Sequence, residues 1–188
     1  MNEDCEATTN DVEQLVKSSQ TGDRGAFDQL VRLYQHRAIR LAVGILGDAE
    51  EAAEAVQAGF VKAYLGINKL KEPTRFETWL LRIISNAAIS QRRTAERRKS
   101  RIRTVDCNEC GKAVLPADKG IAEELKGAIQ KAMSKLSKKE ARAISLFGLE
   151  DLSQEQAAEI MGCSTEAVRW YVFKARKKLK VLLKEYLE

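Results

Sequence analysis

Along most of this chain apolar residues return every third or fourth position, and only two prolines, Pro73 and Pro116, stand in the way of helix. Phe27, Leu30, Val31, Tyr34, Leu41 and Ile45 form one such stripe, which predicts a long helix from about Arg24 to Leu46. Gly47-Asp48 interrupts it, and Asp48 is placed to cap a second helix whose apolar face is Ala52, Val56, Phe60 and Tyr64. Gly66, Asn68 and Pro73 mark a loop, because proline disfavours helix at the preceding Glu72. A third helix, from about Arg75, buries Trp79, Leu80, Ile83, Ile84 and Ala87. The period then fades between about Thr94 and Gly120, a stretch that holds a Cys107-Asn108-Glu109-Cys110-Gly111 turn and Pro116. It returns at Ile121 with Leu125, Ile129, Ala132, Met133 and Leu136, and Ser137 is a cap for a helix carrying Ala141, Ile144 and Phe147. No segment alternates long enough to make a sheet. The expectation is an all-α protein of two small helical domains, residues 10–94 and 121–188, joined by a flexible linker at 95–120.

With 188 residues, 44% hydrophobic and 31% charged, the chain has enough apolar surface to fold. No apolar run approaches the roughly 20 residues that span a bilayer. The acidic start, Met1-Asn2-Glu3-Asp4-Cys5, lacks the basic-then-apolar order of a signal peptide, so a cytoplasmic protein with no membrane segment is predicted. The net charge of +5 permits a polyanionic partner, and its distribution says more. Between Gln91 and Arg103 lie Arg92, Arg93, Arg97, Arg98, Lys99, Arg101 and Arg103 against one acid, Glu96. A second basic run follows Thr165, whereas Asp48, Glu50, Glu51 and Glu54 form an acidic cluster. Two basic stretches and one acidic helix imply two kinds of partner.

The second basic run grows out of a recognisable motif. Ser153 caps a short helix, and Gln156 completes a capping box with it. Ala158 is small where two helices must cross, and Gly162 supplies positive φ for a tight turn. Ser164 caps the next helix, on which Val168 faces back to the first. This is the spacing of a helix-turn-helix, whose second helix enters the major groove of DNA. An ordinary helical hairpin has no use for the basic load that follows. Thr165, Glu166, Arg169 and Trp170, early on the second helix, are expected at base edges, and Lys174, Arg176, Lys177 and Lys178 at phosphates.

The first half narrows the reading. Gly22-Asp23-Arg24-Gly25-Ala26-Phe27-Asp28-Gln29-Leu30-Val31 with Tyr34 resembles the opening of region 2 in extracytoplasmic-function sigma factors of bacterial RNA polymerase. Val56-Gln57, Phe60 and Ala63-Tyr64 resemble the polymerase-binding helix of that region, and Phe76 through Ala87 its promoter-melting segment. Leu136-Ser137 through Lys178-Leu179 resembles region 4. These matches cover about four fifths of the chain, in the family's order. The resemblance implies a non-enzymatic subunit that binds core RNA polymerase, directs it to promoter DNA and assists melting, without a cofactor. It places Glu50, Glu51, Glu54, Gln57 and Phe60 on the polymerase-binding helix. It places the single-stranded −10 element on the loop from Leu70 to Arg75 and the helix beneath it, with Lys69, Lys71, Arg75, Arg82, Asn86, Gln91, Arg92 and Arg93 as polar readers. The −35 element falls to the recognition helix. Many family members are held inactive by an anti-sigma factor, and such a partner is admitted here. Ala53, Ala58 and Ser90 replace acids common in the family, and Gly59 is a poor helix former.

The remaining residues leave alternatives open. Cys107 and Cys110 could be half of a zinc site, a redox pair or inert thiols, and Cys5, Cys163 and His36 give no further ligands at metal spacing. Cys163, inside the turn, is expected in the core. A free-standing repressor or activator would need a dimerisation or effector domain, and the first half offers no heptad seam. A nucleic-acid enzyme would need Asp/Glu pairs at metal spacing or a Gly-rich phosphate loop, and the chain shows neither and has a single histidine.

Overall fold

The computed structural model describes residues 9–103 and 121–186, with side chains for most of them, and every extended element among these is helical. The first lobe contains α1 (Thr9–Gln20), α2 (Arg24–Leu46), α3 (Ala49–Gly66) and α4 (Phe76–Arg103). Two 3₁₀ turns, Ile67–Lys69 and Pro73–Arg75, fill the predicted loop between α3 and α4. The breaks follow the local chemistry. Gly47 ends α2 in the left-handed conformation at φ 76°, and Asp48 accepts the Glu51 N–H at 2.9 Å to start α3. Leu30, Leu41, Ile45, Phe76, Leu80, Leu81 and Ile84 are fully buried between these helices. Gly59 is explained by this packing. A Cβ there would collide with Ile84, so the helix former lost at this position admits α4 to close approach.

Helix α1 was not predicted, since its apolar positions, Val12, Leu15 and Val16, are too few beside the serines that follow. Val16 is nonetheless fully buried, and Gln20 at its end donates to the carbonyls of Ile67 (3.0 Å) and Leu70 (2.8 Å). These two bonds fix the base of the loop ahead of α4. That helix also runs beyond the expected domain edge at residue 94, so residues 95–103 of the predicted linker are helical.

The second lobe holds α5 (Ile121–Ser134), α6 (Lys138–Gly148), α7 (Gln154–Met161) and α8 (Thr165–Leu182), followed by a 3₁₀ turn at Lys184–Tyr186. Both predicted caps, Ser137 and Ser153, form complete capping boxes with Glu140 and Gln156. Leu136, Leu146, Ile160 and Val168 are its fully buried large side chains. Cys163 corrects the sequence reading, for it is exposed. Gly162 adopts φ 65° and the Cys163 N–H returns to the Ala158 carbonyl, which turns the next side chain outward and leaves Ala158 and Val168 to fill the crossing. Tyr64, Leu125 and Ile129, expected on apolar faces, are also partly open to solvent. Cys107 and Cys110 lie outside the described residues.

The two lobes are packed on one another, with α2 against α5 and α6 and α4 against α7. One continuous apolar cluster includes Leu41 and Ile45 of the first lobe with Leu146 and Ile160 of the second. Gly44 lets α2 and α6 cross closely, since a Cβ there would overlap Ser145 and Leu149. At one end of this seam the Glu150 carboxylate is inaccessible to solvent and is gripped by Arg37 (2.9 Å) and Arg40 (3.2 Å) from α2. Arg37 also reaches Glu77 at 2.6 Å. Further along, Arg92 donates to the carbonyls of Ile45 (3.0 Å), Ser134 (3.0 Å) and Leu136 (2.6 Å), tying three helix ends together.

Candidate nucleic-acid interface

Helix α8 is oriented by its small inner face. Val168, Val172 and Ala175 are buried against α6 and α7, and Ser164 accepts the Ala167 N–H at 3.2 Å to begin the helix. The opposite face therefore points to solvent. On it lie Arg169, Trp170, Lys174 and Lys177, together with Phe173. Trp170 is 52% exposed and Phe173 65%, values far from those of core aromatics. Lys174 sits over the Trp170 ring, its Nζ 4.0 Å from the centroid, which holds the ring outward beside a positive charge. The sequence reading does not single out Phe173, an apolar residue in a basic run; its position four residues after Arg169 places it on the same face.

At the start of α8, Thr165 donates to Glu166 at 3.2 Å. The Glu166 carboxyl lies below the usual range, chiefly because its own backbone N–H and then the Ser164 and Thr165 hydroxyls hydrogen-bond to it. Not every basic residue of this helix faces outward alone. Arg176 lies over the Phe147 ring at 5.4 Å, and Lys178 bonds the buried Glu140 carboxylate at 2.7 Å. Burial pushes the Glu140 carboxyl up, but its bonds from Lys178 and Ser137 together hold it below the usual range.

The second surface is built on α4 and the loop before it. Arg82, Asn86 and Arg93 are exposed and share one helical face. The Asn86 side chain makes no hydrogen bond to another described residue, whereas Ser85 beside it is buried and donates to the Arg82 carbonyl. Lys69 and Lys71 are exposed on the loop. Arg75 is tied to Glu72 (3.7 Å) and, across the seam, to Glu159 of α7 (3.2 Å). Gln91 and Arg92 point the other way. Gln91 donates to Glu54 at 2.8 Å, and Arg92 is the seam residue described above. Trp79 packs on the core, 6.0 Å from Phe76.

The acidic helix α3 exposes Glu50, Glu54 and Gln57, with Glu51 half-buried. Its N-terminal half borders a polar groove of about 550 Å³ against α4. Val61 and Leu65 continue the same exposed face as apolar residues. Phe60 does not belong to that face, because it is buried in the core of the lobe.

Comparison with known proteins sets these surfaces in a family. Residues 30–98 match sigma-70 region 2, and residues 126–179 match sigma-70 region 4. The RNA polymerase sigma-H factor of Pseudomonas aeruginosa is 33% identical over 92% of this chain and 96% of its own length. The sigma-E factor of Escherichia coli K12 is 32% identical over 87% of this chain and 89% of its own. SigW of Bacillus subtilis is 28% identical over 93% and 97%. Among solved structures, the sigma factor RpoE bound to the anti-sigma factor NepR, from Bartonella quintana, superposes with a TM-score of 0.66 at 28% identity, over 84% of this chain and 96% of that one. CnrH in complex with the cytosolic domain of CnrY has the same fold, with a TM-score of 0.70 at 23% identity over 93% and 98%. The chain belongs to the extracytoplasmic-function sigma factors, initiation subunits that direct RNA polymerase to promoters.

Proposed function

We propose that the three surfaces divide the work of initiation. The outward face of α8 reads the −35 element in the major groove, with Arg169, Trp170 and Phe173 at base edges and Lys174 and Lys177 toward phosphates. Thr165 and Glu166 flank the same face. The face of Arg82, Asn86 and Arg93, with Lys69, Lys71 and Arg75 beside it, holds the melted −10 strand. Glu50, Glu51, Glu54 and Gln57 dock on an arginine-bearing helix of core polymerase, and Val61 and Leu65 extend that contact. The observation that carries this reading is α8 itself, a helix capped and packed on one side that presents aromatic and basic side chains together on the other.

In this reading the protein acts in the cytoplasm and catalyses no reaction of its own. None of the described helices is long and apolar enough to cross a membrane. An anti-sigma factor is proposed as a further partner, on the strength of the Bartonella quintana relative solved with one.

Run-off transcription with purified core polymerase, followed by sequencing of the start sites, tests the assignment. Discrete start sites preceded by a shared pair of elements are expected. Charge reversal by Glu51→Lys/Glu54→Lys, with the fold intact by circular dichroism, should weaken co-purification with core enzyme. Unchanged core affinity removes α3 from the docking surface. A chain that holds duplex promoter DNA equally well with and without polymerase contradicts the reading as a whole.

A further inference from the structure

The arginines described so far at the lobe seam, Arg37, Arg40, Arg75 and Arg92, each meet a carboxylate, but one basic cluster there is short of them. Between α4 and the region of α6 and the α7–α8 turn lies a cavity of about 220 Å³ whose polar lining includes Arg93, Lys138, Lys139 and Arg142, with Ile89 and Tyr171 as apolar walls. Lys138 is paired with Glu96. No carboxylate among the described residues pairs with Arg93, Lys139 or Arg142, nor with Arg82, whose charge bears on Arg142. Arg142 is the sharpest case. One of its Nη atoms donates to the Ile160 carbonyl at 2.7 Å, and its Nε is buried without a partner. Burial first, and then Arg82, pull its pKa down to about 10, against a smaller opposing effect of Cys163. A desolvated guanidinium among like charges is costly unless an anion joins it.

We propose that this cleft binds a small phosphorylated anion of about pyrophosphate size. The chemistry fits the side chains, since a guanidinium offers a planar fork to phosphate oxygens and the lysines add point charges. The scaffold is rigid on both sides. The capping box at Ser137 and Glu140 fixes α6, and the buried Leu80, Leu81 and Ile84 fix α4. Its size admits a free phosphate compound and no duplex while the lobes are packed. Because Arg93 comes from the first lobe and Lys139 and Arg142 from the second, a bound anion bridges the seam. It also occupies Arg93, which the promoter reading gives to DNA; that competition, unlike the site, rests on that reading.

Calorimetric titration of the full chain with inorganic pyrophosphate at low ionic strength tests the site. One saturable site is expected, weakened at least tenfold by Lys139→Gln and by Arg142→Gln, and unchanged by Lys17→Gln on the remote α1. Lys139 is exposed and bonded to no carboxylate, so its variant keeps the test valid even if Arg142→Gln fails to fold. Absence of saturable binding overturns the proposal. So does wild-type affinity in Lys139→Gln, or an equal loss in Lys17→Gln, which marks general charge attraction. If pyrophosphate fails to bind while Lys139→Gln weakens a promoter-free duplex tenfold, the cleft is a DNA-backbone contact and the proposal falls.

Discussion

The basic residues of α8 and those of α4 look alike in sequence, and the folded chain uses them differently. On α8 the outward residues Arg169, Lys174 and Lys177 bond to no carboxylate of the described chain, and Lys174 is steadied by a ring rather than an acid. On α4 the basic run is split. Arg82 faces solvent and Arg93 lines the cleft beside α6, while Arg92 is consumed by three backbone carbonyls and Glu96. The difference comes from what lies opposite each helix. Helix α8 rests its small inner face on apolar neighbours and turns its other side to solvent. Helix α4 runs between α3 and the second lobe, so residues one step apart meet different partners. Counting basic residues therefore overstates the positive surface that α4 leaves open and understates its part in holding the lobes together.

The largest effect is expected where the seam is most buried. Glu150→Ala removes the carboxylate between Arg37 and Arg40, and losing these charge-assisted hydrogen bonds, discounted because both arginines stay partly in water and Arg37 keeps Glu77, should cost about 3 kcal/mol. Urea unfolding should show that loss, and small-angle scattering should show a larger particle as the lobes part. A variant of wild-type stability and size would mean the seam does not depend on this clasp.

Neighbouring arginines give the next contrast. Arg92→Ala leaves carbonyls of both lobes without their charged donor and should cost about 2–3 kcal/mol of stability. Arg93→Ala should stay within about 0.5 kcal/mol of wild type and lose DNA affinity instead. Equal stability losses from the two would erase the division proposed for α4.

On α8 the effects should appear in binding rather than folding. Arg169→Ala should relax discrimination at one position of the upstream element by about 1–3 kcal/mol. Lys177→Ala should weaken all promoters alike and reduce the salt slope by about one. Promoter-by-promoter affinities across a salt series separate these outcomes, and parallel losses for both variants would merge the two roles.

The smallest effect concerns Lys178, which the sequence placed with the phosphate contacts and the structure places on Glu140. The Glu140 carboxyl is depressed in the folded chain, so its contribution is present above the ordinary carboxylate pKa of about 4.3 and is lost as pH falls through the lower folded value. Lys178→Ala should reduce that acid-labile contribution, flattening the fall in stability below about pH 4.3. An unchanged acid limb of the stability curve would free Lys178 for DNA alone.

Much of this was legible in the sequence because it rests on local chemistry. The caps at Asp48, Ser137, Ser153 and Ser164 and the turn at Gly162 are each set within four residues of themselves, and all were found. The stripe from Phe27 to Ile45 gave α2 its limits for the same reason. What escaped depends on distant neighbours. Gly44 reads as a mere weak point until Ser145 is opposite it, and Glu150 reads as an ordinary surface acid until two arginines from α2 enclose it. Gln91 and Arg92 could not be separated from Arg93 by composition. The packing of α4 alone assigns Gln91 to Glu54 and Arg92 to the seam. Phe60 was legible as part of the apolar face of α3 and is buried there, whereas the resemblance alone set it among the polymerase-binding residues.

The central claim is that the exposed face of α4 holds melted promoter DNA, and Asn86, unbonded at the middle of that face, is its most direct witness. Permanganate footprinting of promoter complexes reports unpaired thymines. Holoenzyme carrying Asn86→Ala is predicted to bind duplex promoter DNA, to show reduced thymine reactivity near the start site, and to regain transcription on a template with a pre-melted bubble. Wild-type opening by the variant, or inactivity that persists on the bubble, would contradict the account.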